Sequence, residues 1–294
     1  MADVPFALHV NNWKEATECL PSYAAFHIPT HQAQEMQLDY AFHMNVDLQD
    51  VGIDDDDHSI LRFHASDLDH EIFMTSQGGY KFKVQLEDGS TAAIGECDAT
   101  HTRYEVRTFG NTRSRSCGLN NIIMMAFAYA AAHFGVLLVH ASVVFRHGKA
   151  HLFLGPSGTG KSTHSSLWLK HISDTDLLND DNPAVRVDEE GNVTAYGTPW
   201  SGKTPCYRNL QFPVGSIVRL HQAPANSIRR LNGLEAFSAF YPSCSLIVWD
   251  EVNRSEVIAH TEAVACHAPI YALDCLPDEE AARLCCTTVE GGAQ

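Results

Sequence analysis

Positive charge is scarce in this sequence: 20 Lys and Arg stand against 36 Asp and Glu, a formal net charge of −16. So acidic a chain repels nucleic acid backbones and anionic lipid surfaces wherever its basic residues are not clustered, which excludes both as expected partners. Patterned cysteine is missing too. The nine cysteines are odd in number and contain no C-x-x-C spacing, which argues against a disulfide framework and a zinc knuckle and for reduced, mostly buried thiols. The opening text MADVPFALHV has no basic segment followed by an apolar one, so no secretory signal is read and the cytoplasm is the expected location. Long apolar runs are nearly absent. The nearest, residues 122–139, is interrupted by His133 and Gly135 and continues into chain of strand character. It reads as a buried helix followed by a buried strand, not as a membrane span. Internal repeats and low-complexity stretches are also lacking.

What is present is an ordinary globular composition, 45% hydrophobic, which is enough for one or two cores. Up to residue 112 the text reads as short strands: YAAFHI at 23–28, SILRFHA from Ser59, YKFKVQLE at 80–87, TAAIGE at 91–96 and RYEVRTF at 103–109. Asp88-Gly89-Ser90 between two alternating runs predicts a hairpin, because glycine accepts the positive φ of a tight turn. The charge run Asp54 to Asp57 lacks the carboxylate and glycine spacing of a calcium loop and reads as a solvated loop. The polar stretch NTRSRSCG at 111–118 marks a boundary. Beyond it strands and helices alternate, and the tail from about 232 is mainly helical, with a short strand at Ile270 to Leu273. The layout predicts a β-rich domain over 1–112 and an α/β domain with a mixed central sheet over 113–294.

The text richest in chemistry is HLFLGPSGTGKSTHSSLWL. Gly155, Pro156, Ser157, Gly158, Thr159, Gly160, Lys161, Ser162 and Thr163 follow an apolar strand and open a helix, the setting a phosphate-binding loop requires. Glycines let backbone N–H groups turn onto phosphate oxygens and the helix N-terminus adds partial positive charge. Lys161 bridges the outer phosphates, and the Ser162 hydroxyl ligates Mg²⁺. Eighteen residues after Ser162 the strand LLNDD ends on Asp180 and Asp181. Alone this pair reads equally as a turn before Pro183. After a phosphate loop it reads as a metal carboxylate and a general base. Neighbouring strand residues point to opposite faces, so the two need not share a role; Asp180 is taken as the base and Asp181, with Ser162, as metal-linked. Upstream, HASVVFRHGKAHLFLG puts His140 and Ser142 on one strand that returns through His147-Gly148 to the loop. That places His140 beside the phosphates, although a lone histidine among 17 is more often a core residue. In GTPWSGKTPCYRN, Lys203 and Arg208 are candidates to cover the nucleotide or hold an anionic acceptor, or are simply solvated cations.

The order of His140, GPSGTGKS and the Asp180-Asp181 pair resembles the catalytic domain of HPr kinase/phosphorylase, whose fold is similar to that of phosphoenolpyruvate carboxykinase. The resemblance is tight over 140–181. It is looser over 119–290, where GTPWSGK, FPVGSIVRL and PIYALDCLPDEEAARL look like segments of bacterial HPr kinase-like proteins. It implies a P-loop α/β fold and a kinase that uses ATP or a related nucleotide with Mg²⁺ to phosphorylate a serine-type hydroxyl on a protein, peptide or small molecule. Lys161, His140 and the aspartates would be catalytic. The chain departs from the family at Thr163, where HPr kinases place an acidic residue, and in lacking their glycine-rich C-terminal signature. Carboxykinase activity itself needs a longer chain. The alternative is a nucleotide-binding ATPase switch whose β domain engages a partner without transfer. The acceptor, the donor and any homo-oligomer are left open by the sequence.

Overall fold

Two sheets and seven α-helices make up the described residues of the computed structural model, which are 1–46, 51–65, 67–202 and 204–291. The chain divides into two units, one of Asp3–Ala130 and one of Ala131–Gln294 with Met1–Ala2.

The first unit contains β1 (Ala7–His9), α1 (Trp13–Cys19), α2 (Thr30–Glu35), β2 (His43–Val46), β3 (His58–Ala65), β4 (Leu68–Met74), β5 (Tyr80–Leu86), β6 (Thr91–Cys97) and β7 (Arg103–Thr108), and most of α3 (Thr112–Ala132). Its sheet runs β1-β2-β7-β6-β5-β4-β3, antiparallel from β3 to β7 and parallel where β1, β2 and β7 meet. The Asp88-Gly89-Ser90 hairpin joins β5 to β6, with Gly89 at φ +80°.

Three sequence expectations are corrected here. Residues 23–28 are not a strand: Pro21–Phe26 form a 3₁₀ helix with Pro at its start, where a fixed φ and a missing N–H cost nothing. The polar stretch 111–118 is the beginning of α3, capped by Asn111, whose Oδ1 accepts from Ser114 N–H at 3.0 Å. Gly118 brings this helix so close to β6 that a Cβ there would lie 2.6 Å from Ala93 Cβ. The division between units accordingly falls at Ala130, after most of α3, whereas the sequence pattern put it before the helix. Last, the acidic run is not merely solvated: Asp54 and Asp57 accept from the buried Lys81 ammonium at 2.5 and 2.9 Å.

The second unit holds β8 (Val136–Leu138), β9 (Ala141–Arg146), β10 (Lys149–Leu154), α4 (Lys161–His171), β11 (Thr175–Asp181), β12 (Ala184–Val187), β13 (Val193–Tyr196), β14 (Gln211–Gln222), β15 (Ser227–Leu231), α5 (Leu234–Phe240), α6 (Glu251–His267), β16 (Ile270–Cys275) and α7 (Glu279–Gly291). The order is β11-β9-β10-β14-β13-β12-β8, with β16 also on β14 and β15 on β16. The β10–β14–β16 pairs are parallel and the others antiparallel, so the sheet is mixed. Strand alternation sends Val143, Leu152 and Leu154 into one core with Phe240 of α5 and Val257 of α6. It sends Val144 and Phe153 into another with Trp168 of α4 and Cys285 of α7. Trp168 is fully buried, and truncating such a side chain to alanine costs about 3–5 kcal/mol. None of the nine cysteines is in a disulfide. Among the described residues no helix is long and apolar enough to cross a membrane.

Candidate functional site

Register brings the sequence-distant groups together. β9 lies between β10 and β11, so Ala141 faces Leu154 on one side and Asp181 on the other, while Ser142 faces Phe153 and Asp180. Gly155 follows Leu154 directly. The glycine-rich loop therefore leaves the sheet about 10 Å, two strand spacings, from the acidic pair.

The loop is held by its own polar atoms and by a side chain of β14. Thr159 N–H and Oγ1 donate to the Pro156 carbonyl at 3.2 and 2.7 Å, and Gln222 Nε2 at the end of β14 donates to the Gly158 carbonyl at 3.2 Å. Gly158 and Gly160 have φ of +81° and +106°, and a Cβ at Gly158 would touch nothing within 4 Å among the described residues. The main chain at Gly158 is thus uncovered just before α4, where Gly160 is the cap residue without a side-chain hydrogen bond among the described residues. Ser162 and Thr163 are exposed on the first turn. Lys161 is buried, and its Nζ donates to the Gly155 carbonyl at 2.9 Å. Burial pushes this ammonium below the usual lysine range, opposed by the charges of Asp181 and then Asp180.

The two aspartates are on opposite faces of the sheet. Ser142 Oγ lies 2.6 Å from Ser165 Oγ on α4, so Asp180, in register with Ser142, is on the α4 face; it is 3% exposed. Asp181 is on the other face with its side chain 29% exposed and its Oδ1 3.4 Å from His140 Nε2. Asn182 Nδ2 donates to its other oxygen at 2.8 Å. His140 is not inside a strand shared with Ser142. The expected strand 136–145 breaks into β8 and β9 because its partners change: Val139 N–H donates to Pro183 and His140 N–H to Ser243, at 2.9 and 2.7 Å, before β9 pairs with β10 and β11. That break turns His140 toward Asp181.

Sequence reasoning missed the groups that hold the aspartates in place. Asn179 Nδ2 donates to the carbonyls of Thr198 and Trp200 at 3.3 and 3.1 Å, and Gly202 N–H donates to the Asp180 carbonyl at 2.5 Å. The signal was there as a polar residue inside the apolar strand LLNDD. Arg208, in contrast, is not gathered with the loop. It makes a two-point ion pair with Asp176 at 2.5 and 3.0 Å, toward the far end of β11 and about 16 Å along the strand from Asp181. Lys203 lies outside the described residues. His164 on α4 is a core histidine, held down to about 4 by burial and accepting from Trp168 Nε1 at 3.1 Å. No group of three or more His, Cys, Asp or Glu side chains placed to hold a metal occurs among the described residues.

No family model matches this sequence, and no curated protein matches it. Among solved structures, the HPr(Ser) kinase/phosphatase from Coxiella burnetii is similar at a distance, with a TM-score of 0.33 and 12% identity over 53% of this chain and 99% of its own.

Proposed function

We propose that this chain is a phosphotransferase that uses a nucleoside triphosphate and Mg²⁺ to phosphorylate a hydroxyl of the serine type. The observation that carries the reading is the β10–β9–β11 register, which sets the open loop with Lys161 beside two carboxylates and a histidine at one end of the sheet. The fit of a nucleotide rests on the uncovered main chain at Gly158 and on the helix start at Gly160, where N–H groups and the helix end suit phosphate oxygens. Lys161, desolvated in advance, would exchange its carbonyl partner at Gly155 for the outer phosphates.

Protein ligands for Mg²⁺ would be the Ser162 hydroxyl and Asp180, which share the α4 face of the sheet. The metal, when bound, supplies neutralisation of charge on the transferring group. Asp181 accepts the proton of the acceptor hydroxyl: it is the solvent-reachable member of the pair, and His140 orients its carboxylate. This division reverses the one expected from sequence, and burial is the reason. A base must reach an incoming acceptor, and Asp180 is the carboxylate closed off from solvent.

The test is calorimetry with ATP and Mg²⁺, followed by mass spectrometry of serine-containing acceptors incubated with both. A shift of one phosphoryl group supports transfer. Phosphate release without any acceptor gain would favour an ATPase switch, and no nucleotide binding at millimolar ATP would overturn the reading altogether.

A further inference from the structure

At the opposite end of β10 from the loop, about 17 Å along the strand, the second unit contains a cavity of about 550 Å³. In a chain of net charge −16, its wall is basic: among the described residues Arg146, Lys149 and Arg230 with His147 and His151 stand against the carboxylate of Glu290. Glu290 is already engaged. It pairs with Arg146 and stands 3.9 Å from His147. Lys149 and Arg230 have no carboxylate partner among the described residues, and both are exposed.

The wall is built around an irregularity. Ala150 pairs with Val214 and His151 with Ser216, leaving Gly215 as the extra residue of a β-bulge. A Cβ at Gly215 would lie 2.9 Å from His151 Cε1 and 3.0 Å from Lys149 Cβ. A bulge re-aims the side chains beside it, and glycine here is what gives those two room. His151 is 1% exposed, and its Nδ1 lies 2.9 Å from Ser216 Oγ. Its Nε2 is buried with no hydrogen-bond partner among the described residues. A buried polar atom without a partner is costly to the fold, and native sites that keep one commonly meet it with a ligand or water. With the Ser216 hydroxyl donating to Nδ1, Nε2 carries the proton and offers it to an acceptor.

We infer that this cavity binds a small organic phosphate, with Lys149 on the phosphate oxygens, His151 on the same strand face donating to an oxygen of the ligand, and Arg230, three strands away on β15, meeting the ligand from the far wall. A lysine ammonium meets a phosphate as a point charge, and the volume falls within the usual range for small-molecule sites. This site is separate from the glycine-rich loop and does not depend on the proposed transfer.

Glycerol 3-phosphate is the probe, titrated calorimetrically into the full chain carrying Lys161→Ala so that the loop contributes little. One saturable site is expected. Adding Lys149→Ala with Arg230→Ala should weaken it roughly 30-fold or more, with an unchanged melting temperature, since both side chains are exposed. ATP binding by an otherwise wild-type chain carrying only those two substitutions should be unaltered, which separates this site from the loop. Absence of saturable binding in the Lys161→Ala chain, or binding indifferent to the Lys149 and Arg230 substitutions, would overturn the proposal.

Discussion

The hydroxyls of Ser142 on β9 and Ser165 on α4 meet at 2.6 Å in a fully buried position, tying the central strand of the site to the helix that begins at Lys161. One hydroxyl donates and the other accepts, so removing either strands its partner in the core. Ser165→Ala is expected to cost about 1–3 kcal/mol, and the Ser142→Ala/Ser165→Ala pair less than the sum of the two single changes. Urea unfolding of the four proteins in a double-mutant cycle reads the coupling. Additive costs would mean that the bond contributes nothing.

Lys161→Ala removes the ammonium that the loop itself carries. Nucleotide affinity should fall by about 1.5–3 kcal/mol, the worth of a charged hydrogen-bonding partner, with little change in stability because the native ammonium is held against the cost of its own desolvation. Calorimetry with ATP and Mg²⁺ measures this. Equal affinities in the two proteins would remove Lys161 from the site.

The two aspartates should separate by phenotype. Asp181→Asn is expected to keep nucleotide affinity and lose transfer by about 10²–10⁴-fold. Asp180→Asn is expected chiefly to raise the Mg²⁺ concentration needed for half-maximal binding. His140→Ala should slow transfer and leave binding intact, because its contact is with Asp181. The opposite pattern in the two Asn variants would restore Asp180 as the base.

Acid should destabilise the fold through buried imidazoles. Burial holds His151 down to about 4 from an ordinary value of 6.5, with Glu290 opposing the shift and Arg146, Lys149 and His147 adding to it. Between those values the unfolded chain binds a proton that the native chain refuses, so stability is full above about pH 6.5 and is lost as pH falls toward 4. The loss from one such group is at most on the order of 3 kcal/mol. Urea midpoints between pH 7 and 4.5 should fall less steeply in His151→Gln than in wild type. Parallel slopes would show that His151 titrates in both states alike.

The sequence by itself determined the elements whose signals are local. Glycine spacing after an apolar run specifies the loop, Asp-Gly specifies the hairpin, and the apolar runs specify most strands, because each depends on backbone conformation and side-chain alternation within a few residues. The tertiary structure decided which groups meet and from which side. Arg208 reads as a free cation until folding sets Asp176 beside it, and α3 reads as the start of the second domain until Gly118 seats it on β6. Which face of the sheet Asp180 and Asp181 each occupy turns on a single residue. β11 pairs Leu177 with Val144 and Asn179 with Val143, so Leu178 is an extra residue, and without that bulge the two aspartates would exchange faces. A one-residue slip reverses every side chain beyond it, and the partner strand that fixes the slip lies more than thirty residues away in the chain, where no local pattern reaches.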